Sequence, residues 1–246
     1  MTRISPRYFL AFLSVCLVGC GADPYARFEL GPARDVVKDA IEVMGGLERW
    51  QAVGPIRARA VVTIYDESGS AVVNRHDQLI DLRGGRIQAS ARVPGGRWTA
   101  TVHASGRASF KADGVALGPE FRSRLLAALK TLLHRLRGPM NLCGQGEKAG
   151  KVSRARVDGM ELVRVAASGG SAGVAAYYFD AQSKLLTLLT TGDDAPGGQG
   201  TVTRYTYQML PNGMAFPARI SVVRIGRHTL IGTRPVLAVE YHDIRL

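Results

Sequence analysis

The sequence predicts an α+β fold in which one long antiparallel sheet carries two helices on one face. Three observations lead there. Short segments of alternating apolar and polar residues recur along most of the chain, separated by glycine turns. Two stretches, 33–52 and 119–137, break that period and take a helical one. The order is helix, five strands, helix and about eight strands, and one sheet with two covering helices is its simplest packing. A strongly curved sheet with helices in its hollow would leave an apolar cavity between them.

The chain opens with Arg3 and Arg7 ahead of an apolar run at 8–19, the pattern of an export signal. Those twelve residues are too few to span a bilayer, which takes about 20. Leu17-Val18-Gly19-Cys20 resembles the lipobox of bacterial lipoprotein signals. The resemblance implies that residues 1–19 are removed and that the Cys20 sulfur is acylated. Cys16 is a poor rival because Val15 precedes it. Gly21 follows the cysteine, which by the same analogy favours the outer membrane, facing the periplasm. Residues 20–32, with Pro24 and Pro32, read as the lipidated N-terminus and a tether. Residues 33–246 are left as the domain.

The formal charge is +12, from 32 Lys and Arg against 20 Asp and Glu. Loss of Arg3 and Arg7 with the signal lowers it to +10. The excess is mostly arginine, whose planar fork suits phosphate and carboxylate. Outside the cytoplasm that charge points to anionic headgroups and away from nucleic acid. A solvated surface from a GC-rich genome would carry the same excess. Cys143 is the only cysteine after Cys20, so no disulfide forms within the domain. It reads as a buried small residue.

In the first helix Val36, Val37, Ala40, Ile41, Met44, Leu47 and Trp50 form one stripe, which Gly45-Gly46 interrupts and bends. Strands follow at 56–65, 71–82, 86–93, 97–104 and 108–111. In the first of these, Ile56, Ala58, Ala60, Val62 and Ile64 share a face. Pro119 opens the second helix and Gly138-Pro139 ends it. Its apolar side holds Phe121, Leu125, Leu126, Leu129, Leu132, Leu133 and Leu136. Arg122, Arg124, Lys130, Arg135 and Arg137 fill the other side. Strands resume at 151–157, 162–167, 174–179, 185–190, 201–209, 218–224, 228–231 and 236–244.

Several stretches carry a family resemblance. One is "AIEVMGGLERWQAVGPIRARAVVTI", an opening helix with Gly-Gly-Leu and Trp running into a strand. The others are "YYFDAQSKLLTLL" and "YTYQMLPNGMAFPARISV", the last an aromatic strand, a turn, Phe-Pro and another strand. With the leucine-rich helix, the pattern resembles the periplasmic lipoprotein-carrier superfamily, the LolA/LolB and LppX-like half-barrels. The resemblance implies an open half-barrel with helices covering its concave face and a hydrophobic cavity beneath them. It implies binding or transfer of a lipid or other lipophilic small molecule. An anchored chain matches the receptors of that superfamily better than the soluble carriers. The residues expected to line the cavity are Trp50, Trp98, Leu129, Leu133 and Leu136.

No catalytic or metal constellation emerges. Residues 169–173 fit G-x-S-x-G, but a strand rather than a helix follows Ser171. Residues 144–152 fail as a phosphate loop, with Gln145 in place of the first glycine and Val152 in place of Ser or Thr. They read as a mobile basic loop. His76, His103, His134, His228 and His242 share no ligand spacing. The expectation is a binding protein, not an enzyme, with no cofactor and no metal. Its partners are a lipophilic ligand, the membrane through an acyl anchor, and an envelope protein. The rival reading is a scaffold subunit of a cell-envelope complex.

Overall fold

The structure, a computed structural model, describes residues 23–144, 146–170, 173–192, 200–225 and 232–246. The expected signal peptide and Cys20 lie outside these residues, as do Ser171 and the strand expected at 228–231.

The first helical stripe folds as two helices, α1 (Arg34–Val43) and α2 (Leu47–Ala52), where one bent helix was expected. The break is conformational. Gly45 and Gly46 take φ of +116° and +85°, a region that side chains disfavour. A Cβ on Gly45 would lie 3.1 Å from the Met214 Cα. The Met44 carbonyl at the break accepts the Trp50 indole N–H at 2.8 Å and the Ala215 amide at 3.1 Å. The broken helix is thereby tied both to itself and to the sheet.

Alternation at 56–65 becomes strand β1 (Ile56–Tyr65), burying Ile56, Ala58, Ala60 and Val62 on one face. A meander continues through β2 (Ala71–Asp81), β3 (Arg86–Val93), β4 (Gly96–His103) and β5 (Ala108–Asp113). Helix α3 (Pro119–Arg137) follows, with Pro119 in its first turn and Gly138 closing it at φ +48°. A 3-10 turn over Gly138–Cys143 leads into a second meander. Its strands are β6 (Glu147–Val157), β7 (Met160–Gly169), β8 (Val174–Asp180), β9 (Leu186–Thr191), β10 (Thr201–Met209), β11 (Ala215–Ile225) and β12 (Gly232–Arg245).

The β12 strand returns to pair with β1, from Arg57 opposite Arg245 to Ile64 opposite Leu237. The two meanders thus fuse into one sheet of twelve antiparallel strands, in the order β5-β4-β3-β2-β1-β12-β11-β10-β9-β8-β7-β6. The sheet is not closed: β5 and β6 are its edges, and α3 carries the chain from one edge to the other. This is an α+β open half-barrel with its helices on the concave face. Leu125, Leu129, Leu132, Leu133 and Leu136 of α3 are buried in the same cluster as Ile56, Ile87, Phe179, Phe216 and Val239 of the sheet. Each fully buried leucine contributes about 1.5–3 kcal/mol. A smaller cluster on the other face, around Tyr178, Leu188 and Val202, accounts for the unbroken apolar runs of β8 and β9.

Residues 23–32, read from the sequence as part of a tether, lie against this body. Tyr25 is wholly buried and its hydroxyl donates to Glu42 Oε1 at 2.8 Å. Leu30 is buried, and Asp23 pairs with Arg34 at 2.6 Å.

Candidate functional site

The open seam between β5 and β6 leaves a hollow of about 800 Å³ beside α3. One wall is the β4–β5 turn around His103–Gly106; the other is the start of β6 and the end of β7. Its floor is helical: Lys130, Thr131 and His134 repeat at helical spacing along one flank of α3.

A buried polar network closes its deep end. His134 Nε2 lies 2.5 Å from Glu147 Oε1, and the Tyr177 hydroxyl donates to Glu147 Oε2. Arg135 Nη1 donates to His134 Nδ1 at 3.2 Å. Guanidinium can only donate, so Nδ1 accepts and the ring proton is assigned to Nε2, facing the carboxylate. Asn141 Nδ2 donates to the His134 carbonyl at 3.0 Å and holds the last turn of α3 in place.

Burial works to raise the Glu147 pKa, but the bonds from His134 and Tyr177 and the Arg135 charge outweigh it, so the carboxyl is held below its usual range. Burial, together with that neighbouring carboxylate, pushes the Tyr177 hydroxyl well above its usual value. Arg135 was expected on the outer side of α3, yet it is only 5% exposed. Among the described residues its Nε has no hydrogen-bond partner, and neither has the buried hydroxyl of Tyr205.

A second hollow, of about 310 Å³, lies between α2, the 3-10 turn and the segment around Phe28. Phe28, Leu47, Trp50, Leu82 and Met140 share its wall with Arg27, Gln51, Arg83 and Arg137, and Cys143 faces it. Arg137 lines both hollows, so they adjoin at the end of α3.

Of the five residues singled out by sequence, Trp50 lines the smaller hollow and Leu133 the larger. Trp98, Leu129 and Leu136 are buried in the main core and line neither. Trp98 packs there against His76, Phe110 and Phe121 at ring distances of 5.5–6.1 Å. Among the described residues no group of three His, Cys, Asp or Glu is placed to hold a metal. No described helix is long and apolar enough to cross a membrane.

Sequence reading missed Glu147, Arg135 and Tyr177. Glu147 sat in a stretch read as a mobile loop, whereas β6 already begins there. One signal was available: Arg135 falls three residues after Leu132, on the spacing of the buried stripe.

Against this geometry, solved structures give a match. The chain is similar to structures of the LolA superfamily. A LolA superfamily protein from Nitrosomonas europaea is 11% identical, with 87% of this chain and 93% of that one covered and a TM-score of 0.46. A domain assigned to outer membrane lipoprotein sorting from Vibrio parahaemolyticus is 10% identical, over 85% and 92% of the two chains, also with a TM-score of 0.46. The MucA/MucB complex from Pseudomonas aeruginosa matches at 10% identity, over 86% and 94%, with a TM-score of 0.20. No family model and no curated protein matches the chain.

Proposed function

We propose that the protein is a lipid-anchored binding protein for a lipid or other hydrophobic ligand, held through acylated Cys20 at the outer membrane and facing the periplasm. The observation that carries this reading is the pair of hollows meeting at Arg137, the smaller holding Phe28, Leu47, Trp50, Leu82 and Met140 and both carrying cationic side chains. Both fall in the size range of ligand sites, and together they suit an amphiphile. Trp50 would contact the apolar part of the ligand and Leu133 the region nearer its polar end. Trp98, Leu129 and Leu136 would form the wall behind them. The reading assigns no catalysis; His134 is engaged by Glu147 and Arg135.

The test is native mass spectrometry on the chain from Ala22 onward, which holds the whole described core, expressed in a lipid-containing host and purified without detergent. Discrete adducts that extract into organic solvent are expected. A clean mass that stays unchanged after incubation with lipids would overturn the reading.

One observation favours a second reading, a scaffold subunit of an envelope complex. The β5 edge strand is largely exposed, with its outer backbone groups unpaired by any described strand. Co-purification of an envelope protein that is lost when β5 is altered would support it.

A further inference from the structure

We infer that the seam hollow is a subsite for the phosphate-type anionic group of an amphiphilic ligand, with the Arg135 guanidinium as its principal donor. The inference rests on the lipid-binding reading and specifies which class of lipid the site would select.

Arg135 is buried and lines the hollow, yet its Nε meets no acceptor among the described residues. A buried donor without a partner carries a desolvation cost, which a shift of the guanidinium toward an anion in the hollow would offset. The negative end of α3 stabilises cations in the last turn without using side-chain donors. Lys130 and Arg137 add charge to the same hollow. The opposing charge is Glu147, whose two oxygens are already taken by His134 and Tyr177. The hollow therefore keeps a positive excess, at an arginine whose donors are not all used. The fork of arginine matches phosphate geometry, and such bonds are roughly twice as strong as neutral ones. The adjoining hollow, where Phe28, Leu47, Trp50, Leu82 and Met140 offer apolar surface, places the hydrocarbon part beyond Arg137.

Two probes separate the terms: 1-lauroylglycerol 3-phosphate and 1-lauroylglycerol, which share a chain and differ in the phosphate. Binding of each to the chain from Ala22 onward is measured by native mass titration. The phosphate form should bind about tenfold tighter or better. Arg135→Met should erase that preference, so that the two probes bind with equal affinity. Lys130→Gln, at an exposed position that leaves the fold alone, should reduce the preference a few-fold. Arg135→Lys, which keeps the charge and loses the fork, should fall between wild type and Arg135→Met.

Equal affinities in the wild type would overturn the subsite and leave the lipid-binding reading standing. Retention of the full preference in both Arg135→Lys and Lys130→Gln would also overturn it. Failure of both probes to bind would overturn the two readings together. Inorganic phosphate alone is the remaining arm: binding as tight as that of the lauroyl phosphate would overturn a lipid headgroup as the occupant in favour of a free anion.

Discussion

His134 and Glu147 face each other at 2.5 Å, the first on the last turns of α3 and the second on the opening residue of β6. The contact locks the helix that bridges the two sheet edges to the strand it leads into. It also holds in place the end of α3 that carries Arg135 and Arg137 into the seam hollow.

Replacing Glu147 by Gln should therefore destabilise the fold by roughly 2–4 kcal/mol, since an amide meets donors with a donor of its own. The acid limb gives a sharper readout. The folded carboxyl lies below its usual range, so its contribution is complete above the unfolded pKa of about 4.3 and is lost as the pH falls through the folded value. Urea midpoints between pH 3 and pH 7 should fall less steeply on acidification in Glu147→Gln than in wild type.

His76 predicts a second pH effect. It is buried against Trp98 at 5.5 Å, and Gln78 Nε2 meets its Nε2 at 2.9 Å. Burial lowers its pKa from 6.5 to about 4, against a small opposing pull from Asp77. The unfolded chain therefore takes the proton first. Stability is fully present above about pH 6.5 and declines toward pH 4, by on the order of 3 kcal/mol. Denaturant titrations should show this decline in wild type and its absence in His76→Gln.

Gly45 and Gly54 form a matched test of the helix break. Gly45→Ala would force a Cβ toward Met214 at a φ of +116°, and should cost about 1–3 kcal/mol. Gly54 is exposed, with nothing within 4 Å of an added Cβ and no positive φ. Gly54→Ala should be neutral or slightly stabilising in the same thermal melts.

Cys143 reports on the smaller hollow. Burial pushes its thiol up to about 12, although Arg27 pulls the other way. Iodoacetamide at pH 8 should label it at least about a hundredfold more slowly in the folded chain than in urea. A ligand seated against Trp50 and Met140 should slow labelling further, and an unchanged rate in lipid-loaded protein would place the ligand elsewhere.

Much of the fold was written in local pattern. Alternation located β1, and the leucine stripe with Pro119 and Gly138 located α3, because period and caps are properties of neighbouring residues. The broken first helix was half legible. Gly45-Gly46 signals a bend, but the complete break depends on Met214, far along the chain. The network of the site was not legible for the same reason. Glu147 acquires His134 and Tyr177 across 13 and 30 positions, through the crossover of α3 and the register of β8. No spacing rule encodes such a meeting. Of the lining residues expected from the half-barrel resemblance, Trp98, Leu129 and Leu136 lie in the main core, where α3 packs on the sheet.

On the anchored reading, the early burial of Tyr25 would set the protein's working radius. The folded body already grips the chain at Asp23, through Arg34. Were Cys20 acylated as proposed, three links would remain between the lipid and Asp23, a reach of about 11 Å at full stretch. A leash that short would hold the domain against the headgroups. Cargo would have to come to this protein and leave from it, since the protein itself could not make the crossing.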